Sequence, residues 1–265
     1  SGDFFLFFLA AWFLLRVLRK AWRPVLLILS YAFYSSWNWQ FMPVLLMVTG
    51  TDFFCARKIS EAVDMRARRA FLYISLLVNL ALLFYFKYAF VLANAAASSA
   101  GSPVRWAMPL IPIGLSFHTF QSMGYVLDVF RGKTTAEKSL LNYANFVSFF
   151  PQLIAGPIER AADLLPQVSR RQYSASADQI YRGVYFILIG LTLTLGLGEV
   201  IAPYGLSARQ TLEANALAAS HLPAQSDILI SFYVFPFTLY LRFAGYSFLA
   251  MGFALLLGIE LSVNF

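Results

Sequence analysis

The sequence predicts an all-α, polytopic integral membrane protein with about eight transmembrane helices plus one re-entrant broken segment, and three observations carry that reading. The first is composition. Of the 265 residues 60% are hydrophobic, 17% aromatic and only 12% charged, with a mean hydropathy of +0.67, which is outside the range of a soluble globular domain. The second is where the charge sits: Lys and Arg gather in short loops between apolar runs, as cytoplasmic loops do, not in a phosphate-binding stripe. The third is the stretch Asn145–Arg160, NFVSFFPQLIAGPIER. Its apolar part, Phe146–Ile158, would reach only about 20 Å as a helix against a hydrocarbon core of about 30 Å. Pro151 removes a backbone donor and Gly156-Pro157 favours a break, so the segment is expected to dip into the bilayer and turn back. Irregular backbone at that depth survives only where protein or a water-filled cavity satisfies its freed N–H and C=O groups. A ring of helices should therefore surround it, in one domain spanning residues 1–265.

Taken in order, Phe4–Leu18 is the first span, followed by Arg16, Arg19, Lys20 and Arg23 around its end. Pro24–Trp39 begins with a helix-starting proline and ends in Tyr31, Tyr34, Trp37 and Trp39, an interfacial aromatic belt. Phe41–Ala56 returns, and Arg57, Lys58, Arg66, Arg68 and Arg69 follow. Ala70–Ala93 is the longest clean span, and its one charge, Lys87, sits among aromatics from which it can snorkel. A small-residue linker, Asn94–Gly101, leads to Trp106 and the span Pro109–Phe130. After the broken segment comes a polar stretch, Glu159–Arg182, then the span Gly183–Tyr204, a hydrophilic loop to Asp227, and two last spans, Ile228–Phe243 and Tyr246–Val263. With the chain starting outside, the basic loops 16–23, 57–69, 131–138 and 159–182 share one side. The opposite loops, 94–108 and 204–227, carry one Arg each, Arg105 and Arg209.

The net charge of +7 therefore points to membrane lipid and not to nucleic acid. One cysteine, Cys55, excludes an intrachain disulfide and a cysteine-rich metal site; it is read as a buried thiol, with palmitoylation as the other reading. The first apolar run lacks the basic flank and small-residue cleavage site of a signal peptide. No initiator Met precedes Ser1, and the chain stops after an apolar run at Asn264-Phe265; both ends are expected to be cut.

His118, Gln121, Tyr125 and Asp128 are spaced by three, four and three residues and share one helical face. Polar groups inside a span mark a functional site or glue neighbouring helices together, and both readings stand; Asp128, beside Arg131, leans to structure. Arg242 lies in the run YVFPFTLYLRFAGYSF, where an unpaired guanidinium costs at least about 2.5–3.5 kcal/mol. Glu199 is one candidate partner, the polar wall of a cavity another, and snorkelling a third. Pro151, Gln152, Gly156, Pro157 and Arg160 offer exposed backbone groups and one cation at the mouth of a cavity, suited to an anionic or acyl-carrying substrate, although a purely structural loop reads the same. His221 belongs to the hydrophilic loop and reads as surface. No Ser-His-Asp triad, zinc motif, P-loop or G-x-G-x-x-G is present, and no metal is expected.

Pro109–Gly132 (PLIPIGLSFHTFQSMGYVLDVFRG) followed by Phe149–Arg160 (FFPQLIAGPIER), with Leu83–Ala89 and Gly245–Asn264 in support, closely resembles the membrane-bound O-acyltransferase (MBOAT) family. The likeness is to its bacterial, alginate O-acetyltransferase-like branch. The resemblance implies a helical ring around a thinned centre, with funnels from both faces. It implies acyl transfer, typically of acetyl, from a cytoplasmic donor to a hydroxyl of an extracytoplasmic polysaccharide, with periplasmic partner proteins and residence in the bacterial inner membrane. The donor would be acetyl-CoA or an acyl-carrier thioester, and no cofactor would be bound. The family's essential histidine belongs to a Trp-His motif beyond the segment matching Val263-Asn264-Phe265. Neither His118 nor His221 occupies that position, so the catalytic residue is expected beyond Phe265. The chain departs from the family's D-F-S-G-Y-S-D pattern at Arg242 and Phe248, and has Leu193 and Thr194 where paired lysines are usual.

Two further readings remain: a non-catalytic scaffold or exporter subunit that kept the helix ring, motivated by those departures, and a small-molecule transporter, for which broken helices are natural but inverted repeats are missing. In the enzyme reading Gln121 and backbone donors near Gly156 would support the oxyanion.

Overall fold

The computed structural model describes residues 2–99, 110–153, 156–170, 175–204 and 225–263, and among these every regular element is helical. They form two compact units, Ser1–Ile154 with Ile158–Ser174, and Ala155–Pro157 with Ala175–Phe265. His221, Arg105 and Arg209 lie outside the described residues.

In the first unit α1 (Gly2–Val17), α2 (Trp22–Asn38) and α3 (Met42–Glu61) follow the expected spans. Pro43 at the start of α3 supplies a fixed φ where no N–H is needed. Asp64 caps α4 (Met65–Phe84), its carboxylate accepting from the Arg66 N–H. A π-helical turn, Tyr85–Ala89, joins α4 to α5 (Phe90–Ser99). The expected linker from Asn94 is thus helical to Ser99: its alanines favour helix over loop. α6 runs over Leu115–Phe130, starting later than the expected Pro109, because Pro112 and a left-handed Gly114 (φ 67°) keep the preceding backbone out of the helix. α7 (Leu140–Ser148) ends in a non-helical turn over 149–153, and α8 (Ala161–Val168) is an amphipathic helix inside the stretch read as merely polar. α3, α4 and α6 pack together, and α7 packs against α2, α3 and α6.

In the second unit α9 (Ala177–Leu191) carries a capping box at Ser176 and Gln179, then opens into a π-helical turn, Thr192–Gly198. α10 is one helix, Gln225–Leu256, where two spans broken near Gly245 were expected. Gly245 is a contact point and not a turn. A Cβ there would meet Thr194 Cγ2 at 2.5 Å and the Gly190 carbonyl at 3.0 Å, and Gly252 stands against Gly183 in the same way. Small residues let the two backbones approach, as lipid-embedded helices require. Arg182 pairs with Glu260 at 3.4 Å.

By length and composition, three helical stretches among the described residues suffice to cross a bilayer: Met65–Ser99, Ala177–Tyr204 and Ile228–Leu256. α1, α2 and α6, of 16–17 residues, reach about 24–26 Å.

Candidate functional site

The site is assembled where α6 meets the end of α7. A helix leaves its last carbonyls without intrahelical donors, and α7 ends at Ser148 inside protein, with residues 142–153 all buried. Gln121 supplies one missing donor: its Nε2 donates to the Phe146 carbonyl at 2.8 Å. Its Oε1 accepts from Gln152 Nε2 at 2.7 Å, so one side chain of α6 holds both the last turn of α7 and the bend after it. The bend is also closed locally, the Phe149 carbonyl accepting from the N–H groups of Gln152 and Leu153 at 3.0 and 3.1 Å. On the other flank Gly114 touches the Leu153 carbonyl so closely that a Cβ could not fit. Phe150 is buried against the rings of Phe7, Phe8 and Phe33 at 5.5–6.3 Å.

The break in Asn145–Arg160 is therefore real, and helices wall its first half. Of the residues singled out in sequence, His118, Gln121, Tyr125, Pro151 and Gln152 gather in this unit, all buried. Tyr125 Oη accepts the Glu137 N–H at 2.8 Å while its ring lies 4.7 Å from that of Tyr143. His118 is 1% exposed, and neither ring nitrogen has a hydrogen-bond partner among the described residues. Arg160 is exposed and opens α8. Gly156 and Pro157 are buried and group with the second unit, as does Arg242, whose guanidinium donates to Glu199 Oε1 at 3.1 Å. That is the partner the sequence suggested. Phe248, the other departure from the family pattern, packs on Phe186 with ring centroids 5.7 Å apart.

One group escaped the sequence reading. Asp52, mid-way along α3 and fully buried, accepts from Ser75 Oγ at 2.6 Å, Ser122 Oγ at 2.5 Å and Asn79 Nδ2 at 2.9 Å. Ser122 also shares a hydrogen bond with Tyr143 Oη at 2.6 Å. The single Ser122 proton goes to Asp52, so Tyr143 is the donor to Ser122. The network links α3, α4, α6 and α7, and Ser122 is the neighbour of Gln121. A signal was available: Asp52 is the one acidic residue in Phe41–Ala56, and an intramembrane carboxylate marks a site by default. Cys55, one turn on, is a buried free thiol.

A cavity of about 530 Å³ lies between the loop 134–138 and α8, lined by Thr134, Thr135, Glu137, Lys138, Leu165 and Ser169, and touches the site only through Glu137, whose N–H bonds Tyr125. Among the described residues no cluster of His, Cys, Asp and Glu has the makings of a metal site.

Residues 72–265 match the MBOAT, membrane-bound O-acyltransferase family. The chain belongs to that family. It is 32% identical over 246 residues to a probable alginate O-acetylase of Pseudomonas syringae pv. tomato, an alignment covering 91% of this chain and 45% of the relative. A probable alginate O-acetylase of Azotobacter vinelandii is 33% identical over 273 residues, covering 100% and 52%. A peptidoglycan O-acetyltransferase of Helicobacter pylori is 28% identical over 276 residues, covering 93% and 49%. The chain spans about half the length of the curated relatives it matches. The family match takes in both motifs, α6 and the broken segment, and the Asn79, Ser75, Ser122 and Tyr143 side of the buried network, while Asp52 precedes it.

Proposed function

We propose that this chain is the scaffold and donor-side part of a membrane O-acyltransferase that moves an acyl group, acetyl by analogy with its relatives, to a hydroxyl of an extracytoplasmic polysaccharide. The observation that carries the proposal is the buried, helix-walled break after α7, held by Gln121 and Gln152, in a chain of this family. Backbone of that kind inside an apolar helix assembly is tolerated where protein buries and satisfies it or where it lines a water-filled path, and the reading takes the second use beside the first. The relatives named for alginate and peptidoglycan acetylation support a polymer as acceptor, and the reading takes an acyl thioester as the donor. In this reading a histidine beyond Phe265 removes the proton from the acceptor hydroxyl as the oxygen attacks the thioester carbonyl. The protein sits in the bacterial inner membrane, its shorter helices crossing a thinned centre, and works with periplasmic partners.

The scaffold reading rests on Arg242 and Phe248, which contact Glu199 and Phe186; transfer activity separates it from the enzyme reading. The experiment is acyl transfer by the full-length protein in vesicles carrying labelled acetyl-CoA or acetyl-carrier inside and polysaccharide outside. Label on the polymer is expected; its absence with every donor tried overturns the reading.

A further inference from the structure

Three polar side chains on the buried face of α6 are consumed by hydrogen bonds. Gln121 holds Phe146 and Gln152, Ser122 serves Asp52, and Tyr125 takes the Glu137 N–H. His118 differs, with both ring nitrogens unpaired among the described residues at 1% exposure, as does its smaller neighbour Thr119, whose hydroxyl is buried without a partner among them. Helix glue is thus a sufficient account of Gln121, Ser122 and Tyr125 and not of His118, since a buried polar group without partners opposes folding.

His118 stands one turn before both Gln121, which bonds Gln152 of the 149–153 turn, and Ser122, which bonds Asp52 of α3. The imidazole therefore lies on the buried face of α6, in line with the side chain that holds the turn. We propose that His118 binds the acyl carbonyl of the thioester donor, held against that turn. The proposal rests on the acyltransferase reading and adds the residue that grips the donor.

The chemistry selects the ligand. A neutral imidazole offers one N–H donor and one acceptor. The buried turn adds Phe149, Phe150, Pro151 and Leu153, all apolar, while Gln121 is spent on Phe146 and Gln152 and the Gln152 amide nitrogen on Gln121. A sugar unit would bury several hydroxyls against those residues, more than one imidazole and one amide oxygen can pair. An acyl chain presents one carbonyl oxygen to one donor and apolar surface elsewhere.

The test uses the full-length protein in nanodiscs and S-acetyl-N-acetylcysteamine, which carries the thioester common to coenzyme A and carrier-protein donors. Affinity is read by titration, alongside the melting temperature, for wild type, His118→Phe and His118→Gln. The His118→Phe variant is expected to bind the probe about ten-fold more weakly, the loss of one buried hydrogen bond, with the melting temperature unchanged or raised. The His118→Gln variant, which keeps an N–H donor, is expected to recover part of the affinity. Equal affinity in wild type and His118→Phe, or no binding to wild type, overturns the proposal. So does a lowered melting temperature with unchanged affinity, which makes His118 a packing residue. If wild type transfers acetyl to polysaccharide while His118→Phe binds the probe normally, only the His118 assignment falls. If the probe binds through His118 but nothing reaches the polymer, only the acyltransferase reading falls.

Discussion

At the scale of single residues the decisive groups are those with too many or too few partners. Asp52 has three donors and no cation among its hydrogen-bond partners, so its removal strands two hydroxyls and an amide in the interior. Asp52→Ala is expected to cost about 1–2 kcal/mol and Asp52→Asn less, because a carboxamide oxygen still accepts from a serine; unfolding in detergent ranks them, and equal stability of all three proteins would reduce the network to coincidence. Gly114, just before α6, and Gly124, inside it, make an instructive contrast. At Gly114 an added methyl meets the Leu153 carbonyl and the backbone is left-handed, whereas nothing lies within 4 Å of a Cβ at Gly124. Gly114→Ala should therefore destabilise by more than about 2 kcal/mol, and Gly124→Ala should stabilise by up to about 1 kcal/mol, both read from the same melts. Sequence spacing made the α6 face legible because four polar residues recur at helical intervals. Asp52 was not legible in that way: its partners come from other helices, and no local pattern announces them.

At the scale of elements the sequence placed α2 and the start of α3 to within two residues, but set the start of α4 at Ala70 where the Asp64 cap opens it at Met65, and ended α3 at Ala56 where it runs to Glu61. It misplaced boundaries where one residue type has two uses. Gly245, in FAGYSF, reads as a turn in isolation, but the structure uses its missing side chain for contact with Gly190 and Thr194 in the middle of α10. The alanines of 95–97 read as a linker and are helical. The glycine contacts set the pairing of α9 with α10. Gly190→Leu would drive a side chain into the Gly245 carbonyl and the Leu249 backbone, each within 3 Å of a Cβ. Separation of the two helices is expected, seen as new protease cleavage in the second unit; an unaltered digestion pattern would contradict the packing described.

At the scale of the whole molecule, family membership and the apolar, helical character were legible in two long motifs and in composition, because both are properties of many residues at once. The number of crossings was not: hydropathy sums cannot say whether a helix of 16–17 residues spans a bilayer, lies short of it or sits behind other helices. Orientation is a separate matter, set by the basic loops, and it can be tested in the first unit alone. Val63, fully exposed between α3 and α4, belongs to the basic loop 57–69, while Gln40, exposed between α2 and α3, belongs to the opposite side. In a variant with no other cysteine, Cys55→Ala included, Val63→Cys should react with an impermeant maleimide only when the cytoplasmic face is open to it, and Gln40→Cys only from the other face. Reaction of both from one side would mean that α3, with the buried Asp52 at its middle, does not cross. The Asp52 network would then belong to a helix lying within the cytoplasmic half of the protein, and the turn it supports through Ser122 and Gln121 could not face a donor path running from one side of the membrane to the other.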